Sequence, residues 1–211
     1  MDKTIQIATF TRITRVSRET ITSLKKYEDI LTKTNKSQNL IGNSTINDIW
    51  TRHFLDSAQV IDFIDEYDKI LVDLGSGAGF PGLGLALALK DRKIPLKIKL
   101  IEKSSKKTKF LKKLIDELQL DAEVINKNIF EYPKKLSGDV LVARAFKPLK
   151  IILELMHNKV ENWEKIFIFL GKTGKNELLQ ASKNWDIEYK QRVSATSNDS
   201  TIIEINILKK K

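Results

Sequence analysis

Five glycines stand within ten residues, Gly75, Gly77, Gly79, Gly82 and Gly84, directly after the apolar run Ile70-Leu71-Val72 and the acid Asp73. Glycines spaced in this way remove side chains and free backbone N–H groups, so that something bulky or charged can sit against bare backbone at a helix N-terminus. A second candidate is Glu102, which ends the run Lys97-Ile98-Lys99-Leu100-Ile101; a carboxylate there can accept hydrogen bonds from two neighbouring hydroxyls. A third is Arg144, which closes Val140-Leu141-Val142-Ala143. A guanidinium is costly to bury alone, so Arg144 should face a site or pair with an acid such as Asp73. In Asn126-Lys127-Asn128-Ile129-Phe130 a flat ring can lie against backbone and an apolar edge. Other chemistry is absent. The chain has no cysteine, and its two histidines, His53 and His157, fall in different segments. Thiol nucleophiles, disulfides and thiolate metal sites are excluded, and no cluster has metal-ligand spacing.

These residues need elements to position them. Strand patterns are expected at 70–74, 97–102, 121–126, 138–144 and 164–170, and helices at 81–90, 104–119, 148–159 and 174–183. Ile166-Phe167-Ile168-Phe169-Leu170 is apolar on both faces, as a central parallel strand should be. The segments 186–193 and 201–208 flank the polar turn 194–200 and read as a closing antiparallel hairpin. Alternating βα units that finish in a hairpin give a mostly parallel sheet in three layers. In such a sheet ligands bind beyond the carboxyl ends of the strands, where all four candidate stretches lie. Ahead of this core, residues 1–15 show little pattern. Ser17 is the expected N-cap of a helix carrying Ile21, Leu24, Tyr27, Ile30 and Leu31 up to about Thr34. Residues 35–44 read as a polar loop, and a further helix is expected from about Ile46 to Tyr67, with Arg52 as its place to break. The expected organisation is one domain over 1–211, a helical N-terminal cap (1–67) on an α/β core (68–211).

The glycine stretch admits two readings. Gly77-Ala78-Gly79-Phe80-Pro81-Gly82 fits the dinucleotide pattern G-x-G-x-x-G, with Glu102 placed where that pattern wants an acid. Starting earlier, Asp73-x-Gly75-x-Gly77-x-Gly79 resembles the first motif of the Rossmann-like S-adenosylmethionine-dependent methyltransferases. There the acid either faces the cationic methionine end of the cofactor or holds the loop through backbone N–H groups. The end of the chain separates the two. A dehydrogenase needs a second nucleotide-binding half or a substrate domain, and nothing after Glu102 has room for either. The seven-stranded methyltransferase sheet ends in such a hairpin.

A net charge of +10 favours a polyanionic partner, most naturally nucleic acid or a ribonucleoprotein, over a merely solvated lysine surface. Lys103, Lys106, Lys107, Lys109, Lys112 and Lys113 crowd one expected helix, with Phe110, Leu111, Leu114 and Leu118 on its buried face. Those lysines form either a solvated face or a phosphate-contacting surface beside the site. No apolar run approaches the ~20 residues of a membrane helix. The N-terminus lacks the apolar stretch of a secretory signal, and with no cysteine in the chain a cytoplasmic location is the expectation, with a monomer as the default. Met156, His157, Trp163 and Trp185 read as packing.

The acceptor is constrained by what is missing. Methylation of an exocyclic adenine amine usually uses an Asn/Asp-Pro-Pro-aromatic loop after the fourth strand, and here that loop is Arg144-Ala145-Phe146-Lys147. Methylation of pyrimidine carbon 5 needs a cysteine. A target with its own lone pair, such as guanine N7, needs neither nucleophile nor base. Catalysis then rests on alignment, and Arg144 acts by positioning.

Together these motifs resemble the RsmG family, formerly called glucose-inhibited division protein B, bacterial methyltransferases of the small-subunit ribosomal RNA. The likeness runs from about Asn35 to the C-terminus. It is carried by Asn39-Leu40, Arg52-His53-x-Leu55-Asp56-Ser57, Asp73 to Gly82, Lys107-Thr108-Lys109-Phe110-Leu111, Arg144-Ala145-Phe146 and the hairpin. The resemblance implies methyl transfer from S-adenosylmethionine to N7 of one guanine in the decoding-region loop of 16S rRNA, as naked RNA or in the 30S subunit. It implies cofactor contacts at Gly75, Phe80, Ile129, Phe130 and Arg144, beside Asp73, Gly77 and Glu102 read above. Arg52 and His53 would frame the mouth of the site. Two departures bear on RNA contacts rather than on the cofactor: Asn128 stands in place of an arginine, and Leu170-Gly171-Lys172 in place of Lys-Gly. The rival readings are transfer to another RNA and a cofactor-binding ribosome-assembly factor without activity.

Overall fold

The structure is a computed structural model that describes residues 2–211. Its centre is a seven-stranded sheet in the order β3-β2-β1-β5-β7-β9-β8. These strands are β1 Ile70–Leu74, β2 Lys97–Ile101, β3 Ala122–Ile125, β5 Val140–Arg144, β7 Lys165–Leu170, β8 Trp185–Val193 and β9 Thr201–Lys210. β9 runs antiparallel to both its neighbours and the other pairings are parallel. Two short strands, β4 Leu136–Ser137 and β6 Val160–Glu161, pair beside it. All five expected parallel strands and the hairpin are present. The chain steps outward from β1 to β2 and β3, then crosses to the far side of β1 to lay down β5. The order therefore reverses between β1 and β5, which is where open α/β sheets bind ligands.

Both faces of the sheet are apolar. Leu71, Ile98, Leu100, Val140, Val142 and Phe167 point to one layer, and Val72, Leu74, Ile101, Leu141, Ala143 and Ile168 to the other. On the first side lie α4 Gly82–Asp91, α5 Ser105–Leu118 and the N-terminal elements. On the second lie α6 Leu149–Lys159 and α7 Gly174–Ala181. The core helices fall within one or two residues of expectation at each end. Ser104 caps α5 by accepting from the Lys107 N–H, and Leu118 ends it before Gln119 in the left-handed region.

The N-terminal region differs from expectation in two places. Residues 3–14, where the sequence shows little pattern, form α1, capped by Asp2 through the Thr4 N–H at 2.8 Å. Its buried stripe is Gln6, Phe10 and Thr14, at helical spacing but with one apolar member. α2, Arg18–Gln38, starts from the Ser17 cap as expected and runs four residues further than Thr34. The expected helix over 46–67 is instead a series of short turns: 3₁₀ at Asn43–Asp48, a π-helical segment at Trp50–Leu55, α3 (Asp56–Ala58) and 3₁₀ at Ile61–Phe63. The reason is packing on two sides at once. Trp50 and Phe54 turn inward onto Phe10, with ring centroids at 5.5 and 6.5 Å, while His53 and Asp56 turn toward the sheet. The wide turn reconciles both directions, a common use of π geometry near functional sites.

Candidate active site at the strand ends

The glycine loop leaves β1 with Gly75, Gly77 and Gly79 at φ of 74°, 56° and 94°, the left-handed region that glycine occupies without steric cost. The N–H groups of Gly75 and Ser76 both donate to the Ile101 carbonyl at 3.0 Å, tying the loop to the end of β2. Asp73 lies beneath the loop, fully buried. Its Oδ2 accepts the Gly82 N–H at 3.0 Å, and a Cβ on Gly82 would come within 2.7 Å of that oxygen. Glycine at 82 therefore lets the start of α4 sit on the carboxylate. Of the two roles open to Asp73, holding the loop is the one its geometry serves. It does not line the cleft above, unlike the other expected cofactor residues. Burial pushes its carboxyl up to about 7, against the pull of the Gly82 N–H and Ser76.

That cleft has a volume of about 520 Å³, within the usual range for small-molecule sites. Its walls bring together Gly75, Gly77, Phe80, Glu102, Ile129, Phe130 and Arg144, with His53, Phe146 and four lysines, Lys103, Lys107, Lys127 and Lys147, at the rim. Glu102 is set from two sides: Oε2 accepts from the Gly77 N–H at 3.0 Å and Oε1 from the Ser104 N–H at 2.7 Å. Each oxygen keeps a further lone-pair direction. Ile129 is buried, whereas Phe130 is 40% exposed and stacks on Phe146 with ring planes 9° apart. Asn128, one of the two departures, closes its own loop by donating to Glu131 at 2.6 Å and accepting from the Phe130 N–H. Lys172, beside the other, pairs with Asp199 at 3.4 Å on the surface.

Arg144 does not pair with Asp73. Nη1 donates to the Arg52 carbonyl and to Asp56 Oδ2, both at 3.1 Å, and Nη2 donates to His53 Nδ1 at 2.9 Å. Arginine has donors only, so His53 Nδ1 must be the acceptor and the ring proton sits on Nε2. Nε2 in turn donates to Thr45 Oγ1 at 2.9 Å, whose own proton goes to the Gly42 carbonyl. Burial, with the Arg144 and Arg52 charges nearby, lowers His53 to about 3, so the ring is neutral at pH 7. Three of the five guanidinium N–H groups are engaged; two have no partner among the described residues. Arg52 contributes its backbone to this arrangement and its side chain does not line the cleft.

Several contributors have roles that the sequence does not reveal. Tyr27, legible only as a helix-face residue, donates from its hydroxyl to the Ala78 carbonyl at 2.6 Å and stacks on Phe80 at 5.2 Å. The other side of Phe80 carries His53 at 5.0 Å and the Arg144 guanidinium at 5.3 Å. The cap thus grips the crest of the glycine loop. Asp56 stands in a motif that gives it no role, and Phe146 lies so close over Gly75 that a Cβ there would meet its ring at 2.2 Å.

A chain from Pelagibacter ubique described as ribosomal RNA small subunit methyltransferase G is 38% identical over 198 residues, spanning 93% of this chain and 92% of its own length. The protein of the same description from Rickettsia akari is 36% identical, spanning 92% and 98%. Among solved structures, the 16S rRNA methylase RmtB superposes with a TM-score of 0.56 at 16% identity, covering 90% of this chain and 75% of that one. M. capricolum TrmK, solved with S-adenosyl-homocysteine, gives 0.54 at 20% identity, covering 71% and 66%. At those identities the structural matches speak to the fold. Residues 20–205 match the family GidB, rRNA small subunit methyltransferase G, and with relatives of this identity and coverage the chain belongs to that family.

Proposed function

We propose that this methyltransferase acts on N7 of a guanine in the decoding-region loop of 16S rRNA. The observation that carries the choice of atom is the lack of an available base among the described residues of the cleft. Its ionisable wall residues are His53, Glu102, Arg144 and the four lysines. The His53 lone pair is taken up by Arg144, and the lone pairs that Glu102 keeps beside its two backbone N–H contacts are those suited to the ribose hydroxyls. An acceptor that must lose a proton to become nucleophilic finds no group to take it. Guanine N7 has an in-plane lone pair and loses no proton as it forms the new bond.

The chain fits S-adenosylmethionine by the chemistry of its donors and acceptors. Glu102 offers acceptor lone pairs suited to two ribose hydroxyls. Ile129 and Phe130 offer an apolar edge for an adenine. Gly75 and Gly77 offer bare backbone to the remainder. Bound S-adenosylmethionine supplies an electrophilic methyl on a sulfonium sulfur, and the sulfur leaves as a neutral thioether. N7 would take up that methyl with its lone pair, and the positive charge given up by the sulfur would reside on the purine. The protein's part is alignment. Arg144 must leave N7 free, so its two remaining donors serve O6 or a neighbouring phosphate. The rim lysines, none of them paired with an acid among the described residues, suit phosphate contacts, as do the exposed Lys106, Lys109, Lys112 and Lys113 on α5. No helix among the described residues is long and apolar enough to cross a membrane. We assign the protein to the cytoplasm as a monomer.

The test is incubation with S-adenosylmethionine labelled in the methyl group, together with 30S subunits, naked 16S rRNA or tRNA, followed by mapping of the label. Label on a single 16S guanine N7 is the expected result. Label on tRNA or on another atom overturns the assignment, and cofactor binding without transfer to any RNA would mark an assembly factor. Arg144→Ala is expected to lower kcat/KM by ~10- to 100-fold in protein that circular dichroism shows to be folded. Normal activity per folded molecule would reduce Arg144 to a structural ion pair.

A further inference from the structure

We propose that Asp56 is a positioning residue for Arg144, and that the turn joining β8 to β9 fixes Asp56 for that purpose. The inference rests on the reading of Arg144 as a group of the methyl-transfer site. Arg144 is the last residue of β5, and the chain leaves it through Ala145 at a φ of 48°. Its guanidinium stands at the end of a long flexible stem, which must be held if its free donors are to aim at a substrate. Two of its anchors, the Arg52 carbonyl and His53 Nδ1, are neutral acceptors. Asp56 is the charged one, and the two side chains are only 15% and 16% exposed.

What marks Asp56 as more than a counter-ion is the use of its other oxygen. Oδ1 accepts from Thr196 Oγ1 at 2.6 Å, Ser194 Oγ at 3.3 Å and Gln59 Nε2 at 3.0 Å. Thr196 and Ser194 come from the polar turn between the last two strands, about 140 residues away in sequence. The turn is itself closed by the Ser194 N–H on the Ser200 carbonyl at 3.0 Å and tied back by the Ala195 N–H to Gln59 Oε1. A polar hairpin turn can satisfy its groups with water. Here the hydroxyls instead orient a carboxylate whose second oxygen orients the arginine. The carboxylate thus bridges the turn and the arginine, with Oδ1 held by the turn and Oδ2 accepting from Nη1. The competing reading, an ion pair that merely staples the cap to the sheet, predicts lost stability without coupling to turnover.

The experiment is a double-mutant cycle on kcat at saturating cofactor and RNA, with Asp56→Ala, Arg144→Ala and the pair. If Asp56 acts through Arg144, Asp56→Ala lowers kcat to within about threefold of Arg144→Ala, and the double variant falls no more than about twofold below Arg144→Ala alone. Thr196→Val, a smaller change that keeps the fold should Asp56→Ala not fold, lowers kcat by about two- to fivefold in the same direction. A second readout is independent of activity. The Nη protons of Arg144 give separate NMR signals while the guanidinium is locked, and these merge in Asp56→Ala or broaden in Thr196→Val. Multiplying losses in the cycle, wild-type kcat in Asp56→Ala where Arg144→Ala is impaired, or unchanged Arg144 signals would overturn the proposal. A wild-type protein that labels no RNA while its guanidinium signals still depend on Asp56 would overturn the functional reading and leave the positioning intact.

Discussion

Gly75→Val is expected to abolish measurable S-adenosylmethionine binding, and two separate physical effects drive the loss. The first is conformational. Gly75 sits at a φ of 74°, and a β-branched residue there pays on the order of 1–3 kcal/mol or leaves the conformation. Leaving it breaks the 3.0 Å bond from the Gly75 N–H to the Ile101 carbonyl that ties the loop to β2. The second effect is crowding. A Cβ at Gly75 would lie 2.2 Å from Cδ2 of Phe146 and 2.9 Å from Cε2, so the ring must move, and with it the Phe130 ring stacked upon it. Both rings line the cleft. Together these effects should raise Kd by ~100-fold or more, read by titration calorimetry. Gly77→Ala separates the two causes. Its Cβ would find nothing nearer than the Gly75 carbonyl oxygen at 3.8 Å, so only the strain of a φ of 56° remains. An effect of about tenfold is expected there. Wild-type affinity in Gly75→Val would remove the glycine loop from the cofactor's seat.

The loop is the most legible part of the molecule because its signals are local. Strand, acid, glycines and helix follow one another within 22 residues of sequence, from Ile70 to Asp91, and each constrains its neighbour. The parallel strands are legible for the same reason, being short apolar runs bounded by turns. The cap is not. α1 buries Gln6 and Thr14 with Phe10 while Ile5 and Ile13 stay exposed, so its apolar residues do not mark the buried face. From Ile46 onward the sequence has helical spacing, yet tertiary packing divides the region 43–63 into turns of three different kinds. Long-range pairing is the other blind spot. Sequence shows that Arg144 needs a partner and offers Asp73, the acid of the motif. The partners are His53 and Asp56, some 90 residues away, and no local pattern encodes that choice. The motif Arg52-His53-x-x-Asp56-Ser57 does hold three of the four groups concerned, since the Arg52 carbonyl, His53 and Asp56 all meet the guanidinium. What it lacks is Thr196, whose place in a polar turn reads as solvent-facing.

Replacing Asp73 by asparagine is expected to change how the fold responds to pH, because two buried groups pull that response in opposite directions. Burial raises the Asp73 carboxyl from 3.8 to about 7. Between those values the folded protein keeps a proton that the unfolded chain has released. The contribution of Asp73 is thus fully present below 3.8 and is lost as pH rises through 7, on the order of 4 kcal/mol in all. His53 behaves in reverse. Burial, helped by Arg144 and Arg52, lowers it from 6.5 to about 3, so the unfolded chain holds a proton that the folded protein refuses. Its contribution is fully present above 6.5 and is lost as pH falls through 3. Across the shared window the two slopes oppose each other and the wild type shows little of either. The asparagine amide keeps an oxygen for the Gly82 N–H and carries no titrating proton, so Asp73→Asn leaves the His53 slope unopposed. Unfolding free energies from denaturant titrations between pH 4 and 8 should then rise with pH more steeply than in the wild type, by about 1.4 kcal/mol per pH unit in the middle of the window. The variant should also be the more stable protein at pH 8, where wild-type Asp73 bears an ionised carboxylate whose Oδ1 has no partner among the described residues. Parallel pH curves for the two proteins would mean that Asp73 is already ionised in the folded state. The loop would then be held by a buried anion, and the charge balancing it would have to come from the arginine above it.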